Sequence, residues 1–351
     1  MWGIMINHLH SKTDILNNFN ETTDCDAFAA LMDDYGKPER LDSMTNKTYK
    51  VDIDGISAVM RLPGIGTSDM IDRTSEGHIF TELIRNQFRM MPDILYHDSK
   101  TGICISAYLS GYRNFDPANP GDRKKIALAL KSLHAIASTS EDSASADSAP
   151  AHSSSVHSTS VASASADTNQ SAHNSTLVVS DLLLDIHKYR NMSAKKESFY
   201  ISDKTRTLMH NYIKHNQHQD LVLCHRDMMY NNLLINDTLD CIKLIDWEYS
   251  GLLNRRWDLG CLLSESMLHF NAKLSDIESA LVTFYFTDSP LTYIQEELMI
   301  WSAIVDYVWA EWSLAKTAVG EDCIEYGKKR MENCEAFVQI LEKRGFIKEY
   351  V

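Results

Sequence analysis

No run of about 18 consecutive apolar residues occurs in the chain, so no membrane-spanning helix is expected. Basic residues are also in short supply: 34 Lys and Arg stand against 48 Asp and Glu, a formal charge of −14 over 351 residues. A surface of that sign repels a phosphate backbone, which argues against nucleic-acid binding and suits a small cationic partner. Paired cysteines are missing as well. Cys25, Cys104, Cys224, Cys241, Cys261, Cys323 and Cys334 are odd in number, scattered, and never spaced Cys-x-x-Cys. They read as buried small hydrophobes in a reducing compartment, not as a disulfide framework or a zinc site. The opening "MWGIMINHLHSK" has no basic lead and too short an apolar run for a secretory signal, so a cytoplasmic protein is expected. Nothing points to a protein partner.

The chain is 44% hydrophobic and long enough for one large domain or two lobes, each with its own core. In "TYKVDIDGISAVMRL", Tyr49, Val51 and Ile53 alternate, Asp54-Gly55 is a turn signal and Val59 resumes the run, which predicts a β-hairpin. "SEGHIFTELIRNQF", Ser75 to Phe88, has Ile79, Leu83 and Ile84 at helical spacing. "DILYHDSKTGICISAYL" reads as two strands around a Lys100-Thr101-Gly102 turn, and "DRKKIALALKSLHAIA" as a helix capped by Asp122. From Ser138 to Thr176 almost everything is Ser, Ala, Thr, His or Asp. That composition cannot offset its ordering entropy, so a disordered insert within one core is expected, with His152, His157 and His173 solvated. Amphipathic helices are expected at Ser180–Tyr189 and Asp203–Lys214, then a strand-rich stretch, then helices to the end. Strands first and helices later predict an α+β protein of two lobes.

Between the strand-like runs lies "LCHRDMMYNNLLIND", followed by "IKLIDWEYSG". His225, Asp227 and Asn232 form His-x-Asp-x-x-x-x-Asn, with Asp246 fourteen residues beyond Asn232. Phosphoryl transfer needs an acceptor for a hydroxyl proton and hard oxygen ligands for Mg²⁺. Asp227 suits the first task; Asn232 and Asp246 suit the second. The strands "NLLIN" and "IKLID", joined by a tight Asp237-Thr238 turn, would bring Asn232 and Asp246 to one end of a hairpin.

With these residues the chain resembles the choline/ethanolamine kinase and aminoglycoside phosphotransferase group of the protein-kinase-like enzymes, and is most similar to bacterial choline kinases. "MTNKTYKV", "AVMRLPGIGTSDMIDRTSE", the two motifs above with "RRWDLG", and "YVWAEWSLAKTAVGEDCIEYGKKR" carry the resemblance across most of the chain. It implies a small antiparallel-sheet lobe at 1–109 that binds ATP, and a larger, mainly helical catalytic lobe at 110–351. It implies Asp227 as catalytic base within a loop that includes His225, with Asp258 bracing that loop's backbone. Arg61 would meet the phosphates with Glu76 as its ion-pair partner. Thr45 and Asn46 would serve the phosphate loop, and Ile105 to Leu109, including Ala107, would be the hinge beside adenine. The family's glycines before Met-Thr-Asn are replaced here by Asp42 and Ser43, which predicts a weaker phosphate grip. Gly-x-Gly-x-x-Gly and Asp-Phe-Gly are absent, which disfavours an ordinary protein kinase.

Aromatics form a second constellation. Trp309 and Trp312 share a helix face at i and i+3; Tyr326 follows, and Tyr249 stands three residues after Asp246. Such a stripe is core in many helices, but beside the motifs above it suits a quaternary ammonium. The expected reaction is transfer from ATP with Mg²⁺ to the hydroxyl of choline, with ethanolamine, thiamine or an aminoglycoside as other acceptors. A nucleotide-binding pseudokinase is the rival of another class, motivated by Asp42 and Ser43.

Overall fold

The computed structural model describes residues 38–53, 55–136, 177–193, 201–269, 273–287 and 294–347. The predicted insert at 138–176 lies outside them.

The strand alternation near the start closes a five-stranded antiparallel sheet. Strands β1 (Glu39–Leu41), β2 (Lys47–Ile53), β3 (Ile56–Leu62), β4 (Ile94–His97) and β5 (Cys104–Ala107) stand in the order β1-β2-β3-β5-β4. Ile53 faces Ile56 across the β2–β3 turn, where Gly55 takes φ +80. Period-two geometry then divides the sheet. Ala58, Met60, Leu62 and Ile105 turn into a small apolar core, while Val59, Arg61, Cys104 and Ser106 line a cleft on the other face. Helix α1 (Arg73–Arg85) starts two residues earlier than its pattern suggests, because the Asp72 carboxylate caps it by accepting from the N–H groups of Thr74 and Ser75.

Past β5, β6 (Arg113–Asn114) adds a short strand to β8 (Leu233–Asn236) and β9 (Cys241–Leu244), and β7 (Leu221–Cys224) pairs with β10 (Gly251–Asn254). The β8–β9 connection has four residues, 237–240, not a tight two-residue turn, since Asn236 pairs with Cys241. The expected cap of helix α2 (Pro120–His134) is also corrected. Asn119 caps it and Pro120 occupies its first turn, while Asp122 instead receives Arg113 at 2.6 Å and the Asp116 N–H. Helices α3 (Leu182–Ser193) and α4 (Asp203–Asn216) follow; the first starts beyond Ser180.

The remaining helices are α5 (Arg256–His269), α6 (Leu274–Ala280), which runs into a π-helical turn at Leu281–Tyr285, α7 (Gln295–Ala318) and α8 (Ile324–Arg344). Helix α7 is buried on every side from Leu298 to Lys316, as expected of a helix that is apolar all round. It packs on α3, α5 and α8. Gly260 allows the α5 contact: a Cβ there would lie 2.9 Å from the Trp301 carbonyl carbon. Cys104, Cys224, Cys261, Cys323 and Cys334 are buried thiols, and Cys241 is partly exposed. No helix among the described residues is long and apolar enough to cross a membrane.

Candidate active site

A cavity of about 500 Å³ lies between the sheet and the helical region. Its walls include Thr45 and Arg61 on the sheet side, Ala107 and Leu109 at and just after the end of β5, and Asp227, Asn232 and Asp246 below. Asp42 and Ser43 also line it. The Ala107 and Tyr108 N–H groups are already bonded to the carbonyls of Asp93 and Ser57.

Strand β7 delivers the loop that starts at His225. Helix α5 then holds it: both oxygens of buried Asp258 accept backbone N–H groups, from His225 at 2.8 Å and Arg226 at 2.9 Å. The His134 ring adds a third contact to Asp258 at 3.1 Å. Arg226, at φ +68, reaches Ser180 at 2.9 Å and Asp185 at 2.7 Å. Left-handed backbone at a non-glycine residue persists only where its surroundings enforce it, and these contacts do so.

His225 itself is a clip. Its Nδ1 accepts the Asp227 N–H, so Nε2 carries the proton and donates to the Ile245 carbonyl at 2.9 Å. The ring therefore ties the loop to the strand end that carries Asp246. Burial is the main reason its pKa falls to about 4. A histidine that titrates near 6.5 when unfolded then stabilises the fold fully above that pH, and the contribution is lost as pH falls toward 4. The full difference is about 3 kcal/mol. Urea unfolding from pH 7 to pH 4 is expected to show this loss in the wild type and not in His225→Asn; parallel curves would overturn it.

Asn232 stands on a 3₁₀ turn before β8, and its amide nitrogen donates to Asp227 Oδ2 at 2.9 Å. The Ile245 N–H bonds to the Asn232 carbonyl at 3.0 Å, so the hairpin sets Asn232 beside Asp246. Asp246 has φ +64 and meets Arg61 at 3.2 Å. Arg61 also holds Glu76 at 2.6 Å. Sequence reasoning missed the rest of this network. Glu248 is buried and takes Arg73 and the Asn46 amide, each at 2.8 Å. Arg73 donates as well to Glu76 at 3.2 Å and to Asn46 Oδ1 at 3.3 Å. The Asn46 side chain is thus engaged inside the network. A signal for Glu248 existed, since it follows Asp246 by two residues.

The acidic residues are crowded. Burial first, then the charges of Asp246, Glu265 and Glu248, push the Asp227 carboxyl well above its ordinary pKa. Burial and Glu248 push Asp246 up to about 7, against the pull of Arg61. Asp227 Oδ1 and Glu248 Oε1 are buried without a hydrogen-bond partner. Buried carboxylate oxygens with no donor, repelling one another, are the environment a hard divalent cation relieves. The Asp246 carboxylate and the Asn232 side-chain Oδ1, whose amide nitrogen is turned to Asp227, therefore fit Mg²⁺. His134, Cys224 and Asp258 also cluster, with ligand atoms within 4.8 Å of one another, but Asp258 is bonded to the loop and burial keeps the Cys224 thiol protonated.

The aromatic residues do meet. Tyr249 and Trp309 pack edge to face at 5.1 Å, Trp309 and Trp312 at 5.6 Å, Trp312 and Tyr326 at 6.1 Å. Trp312 Nε1 donates to the Tyr249 hydroxyl at 2.8 Å. Trp309 Nε1 is buried and has no partner. Tyr326 already serves a cation of the protein: the Arg330 guanidinium lies 4.9 Å from its ring centre. Arg330 is fully buried and paired with Glu265 and Asp306, neither of which the sequence singled out.

One stability prediction follows from Glu76. Burial opposes its charge, but Arg61, His97 and Arg73 outweigh that and hold the carboxyl down to about 2. Its contribution is complete above the ordinary value near 4.5 and is lost as pH falls toward 2. Glu76→Gln leaves two arginines short of a counter-charge and is expected to cost about 3–5 kcal/mol in denaturant unfolding. A cost under about 1 kcal/mol would show the pair to be dispensable.

The comparisons with known proteins agree with this geometry. The profile of the choline/ethanolamine kinase family matches residues 39–336. The chain is similar to protein LicA of Haemophilus influenzae, 21% identical over 297 residues that cover 82% of this chain and 96% of that protein. Its fold is similar to the crystal structure of choline kinase LicA from Streptococcus pneumoniae, with TM-score 0.67, 19% identity, and coverage of 90% of this chain and 98% of that one. It is also similar to an ethanolamine kinase of Plasmodium vivax, with TM-score 0.62, 19% identity, and coverage of 94% and 95%. The two-lobed kinase-like fold expected from the sequence is the fold found. Because the family profile spans most of its length, the chain belongs to the choline/ethanolamine kinase family, phosphotransferases that act on an alcohol.

Proposed function

We propose that this protein transfers the γ-phosphoryl group of ATP to the hydroxyl of choline in a Mg²⁺-dependent reaction. One observation carries the reading: Tyr249, three residues from Asp246, is hydrogen-bonded to Trp312, so the aromatic cluster and the carboxylate cluster are built on one strand end. Asp227 takes the acceptor's proton at Oδ1, the oxygen that Asn232 does not hold. Arg61 faces the phosphates from the roof of the cavity. Mg²⁺ held by Asp246 and Asn232 would neutralise phosphate charge. A relative with this fold has been crystallised as LicA in complex with AMP, which supports the nucleotide assignment.

The charges near the rings favour a monovalent acceptor. Glu265 and Asp306 both pair with Arg330, and Glu311 with Arg190, so these carboxylates are already engaged and offer little to a polycationic aminoglycoside. A panel of choline, ethanolamine, thiamine and an aminoglycoside with radiolabelled ATP tests the reading. Choline is expected to give the highest kcat/KM, and a higher value for any other acceptor would replace it. Asp42→Gly tests the phosphate loop. Removing an exposed acid from the cavity wall is expected to lower KM for ATP roughly two- to fivefold, the scale of a surface charge interaction. An unchanged KM would show that Asp42 does not meet the nucleotide.

A further inference from the structure

We propose that Lys316 is a positioning residue for the nucleotide, acting from the helix that carries the acceptor-site tryptophans. Lys316 follows Trp312 by four residues and so lies one turn further along the same face of α7. It is fully buried, and its ammonium donates to the Ile65 carbonyl at 2.9 Å. A buried ammonium is costly unless hydrogen bonds replace its water, so this contact holds the loop from which Ile65 comes.

That loop, Pro63 to Thr67, opens the connection from β3 to α1 and touches both the sheet at Thr45 and the end of α7. Its turn is closed by the Thr67 hydroxyl and N–H, which bond to the Gly64 carbonyl at 2.8 and 3.3 Å. On one side, a Cβ at Gly64 would lie 1.9 Å from the Thr45 carbonyl oxygen, so the loop backbone is pressed against the backbone of Thr45. On the other side Gly66, at φ +71, faces Val319 at the end of α7, where a Cβ would come within 3.0 Å of its Cγ2. Thr45 lines the cavity with Arg61. Backbone contacts of this kind cannot be relieved by a side-chain rotamer. The position of α7 is therefore passed through Ile65 and Gly64 to the wall at Thr45, which links the acceptor side to the phosphate end of the nucleotide site. The inference rests on the reading of the cavity as the ATP site.

Two variants test the link. Lys316→Met keeps the aliphatic stem and removes the donor. Val319→Ala loosens the same loop from the helix without disturbing a charge, and keeps the test decisive should Lys316→Met not fold. Steady-state kinetics with ATP and choline varied separately, and calorimetric titration of Mg·ATP without acceptor, are the measurements. Lys316→Met is expected to raise KM and Kd for ATP on the order of tenfold, the worth of one hydrogen bond to a charged group, with kcat and KM for choline near wild type. Val319→Ala, a truncation at a half-buried position, is expected to raise them roughly two- to threefold. Unchanged ATP binding in a folded Lys316→Met protein, or equal losses for ATP and choline, would reduce Lys316 to a packing residue and overturn the proposal. A wild type that binds no ATP would instead remove the nucleotide reading itself.

Discussion

Asp227→Asn is expected to lower kcat by about 10²- to 10⁴-fold, the usual contribution of a positioned base, while the protein stays folded. The new amide can still accept from Asn232, which now donates at 2.9 Å, so the loop keeps its shape. The less obvious half of the expectation concerns stability. Asp227 is buried, and Asp246, Glu265 and Glu248 all disfavour its charge. Removing that charge relieves repulsion inside the fold, so Tm is expected to rise or hold as activity disappears, a trade of stability against function. Asp246→Ala is expected to abolish transfer too, because it removes the carboxylate proposed to hold Mg²⁺. A kcat within tenfold of wild type for Asp227→Asn would remove the base assignment. A marked fall in Tm would show instead that the carboxylate holds the loop.

Trp309→Leu is expected to reduce kcat/KM for choline on the order of tenfold or more while leaving KM for ATP unchanged. A quaternary ammonium has no N–H to donate, so it is held by ring faces and not by hydrogen bonds to a carboxylate. Leucine keeps position 309 apolar but removes the π face. Trp309 is the cleaner probe of the two tryptophans, because its Nε1 has no partner, whereas Trp312 Nε1 is bonded to Tyr249. Ethanolamine, which keeps N–H donors, is expected to lose less. Equal losses for choline and ATP would mean that the ring is core and nothing more.

Short-range patterns were legible in the chain. The β2–β3 hairpin followed from alternation and an Asp-Gly pair. The order His225, Asp227, Asn232, Asp246 pointed to a loop and a hairpin, and the family resemblance added Asp258 as a brace; the structure brings these residues together. Boundaries were less legible where two adjacent residues could both cap. Asn119 caps α2 because Pro120 fits its first turn, and Asp122 is drawn instead to Arg113, a residue of a two-residue strand too short to announce itself.

The sequence by itself determined the chemistry available: a proton acceptor, oxygen ligands, an arginine on a strand and a set of aromatic rings, at spacings that local hydrogen bonding converts into a loop and a hairpin. Only the tertiary structure decided how the charges are matched. Asn46 meets Glu248 across 202 positions, Arg61 meets Asp246 across 185, and Lys316 reaches Ile65 across 251. No period or motif encodes such pairs, because each depends on where two independently formed elements come to rest. Burial then sets their consequences: carboxylates that would be ordinary acids in water repel one another around Asp227, and buried Arg330 opposes that only in part, so the Asp227 carboxyl stays well above its ordinary pKa.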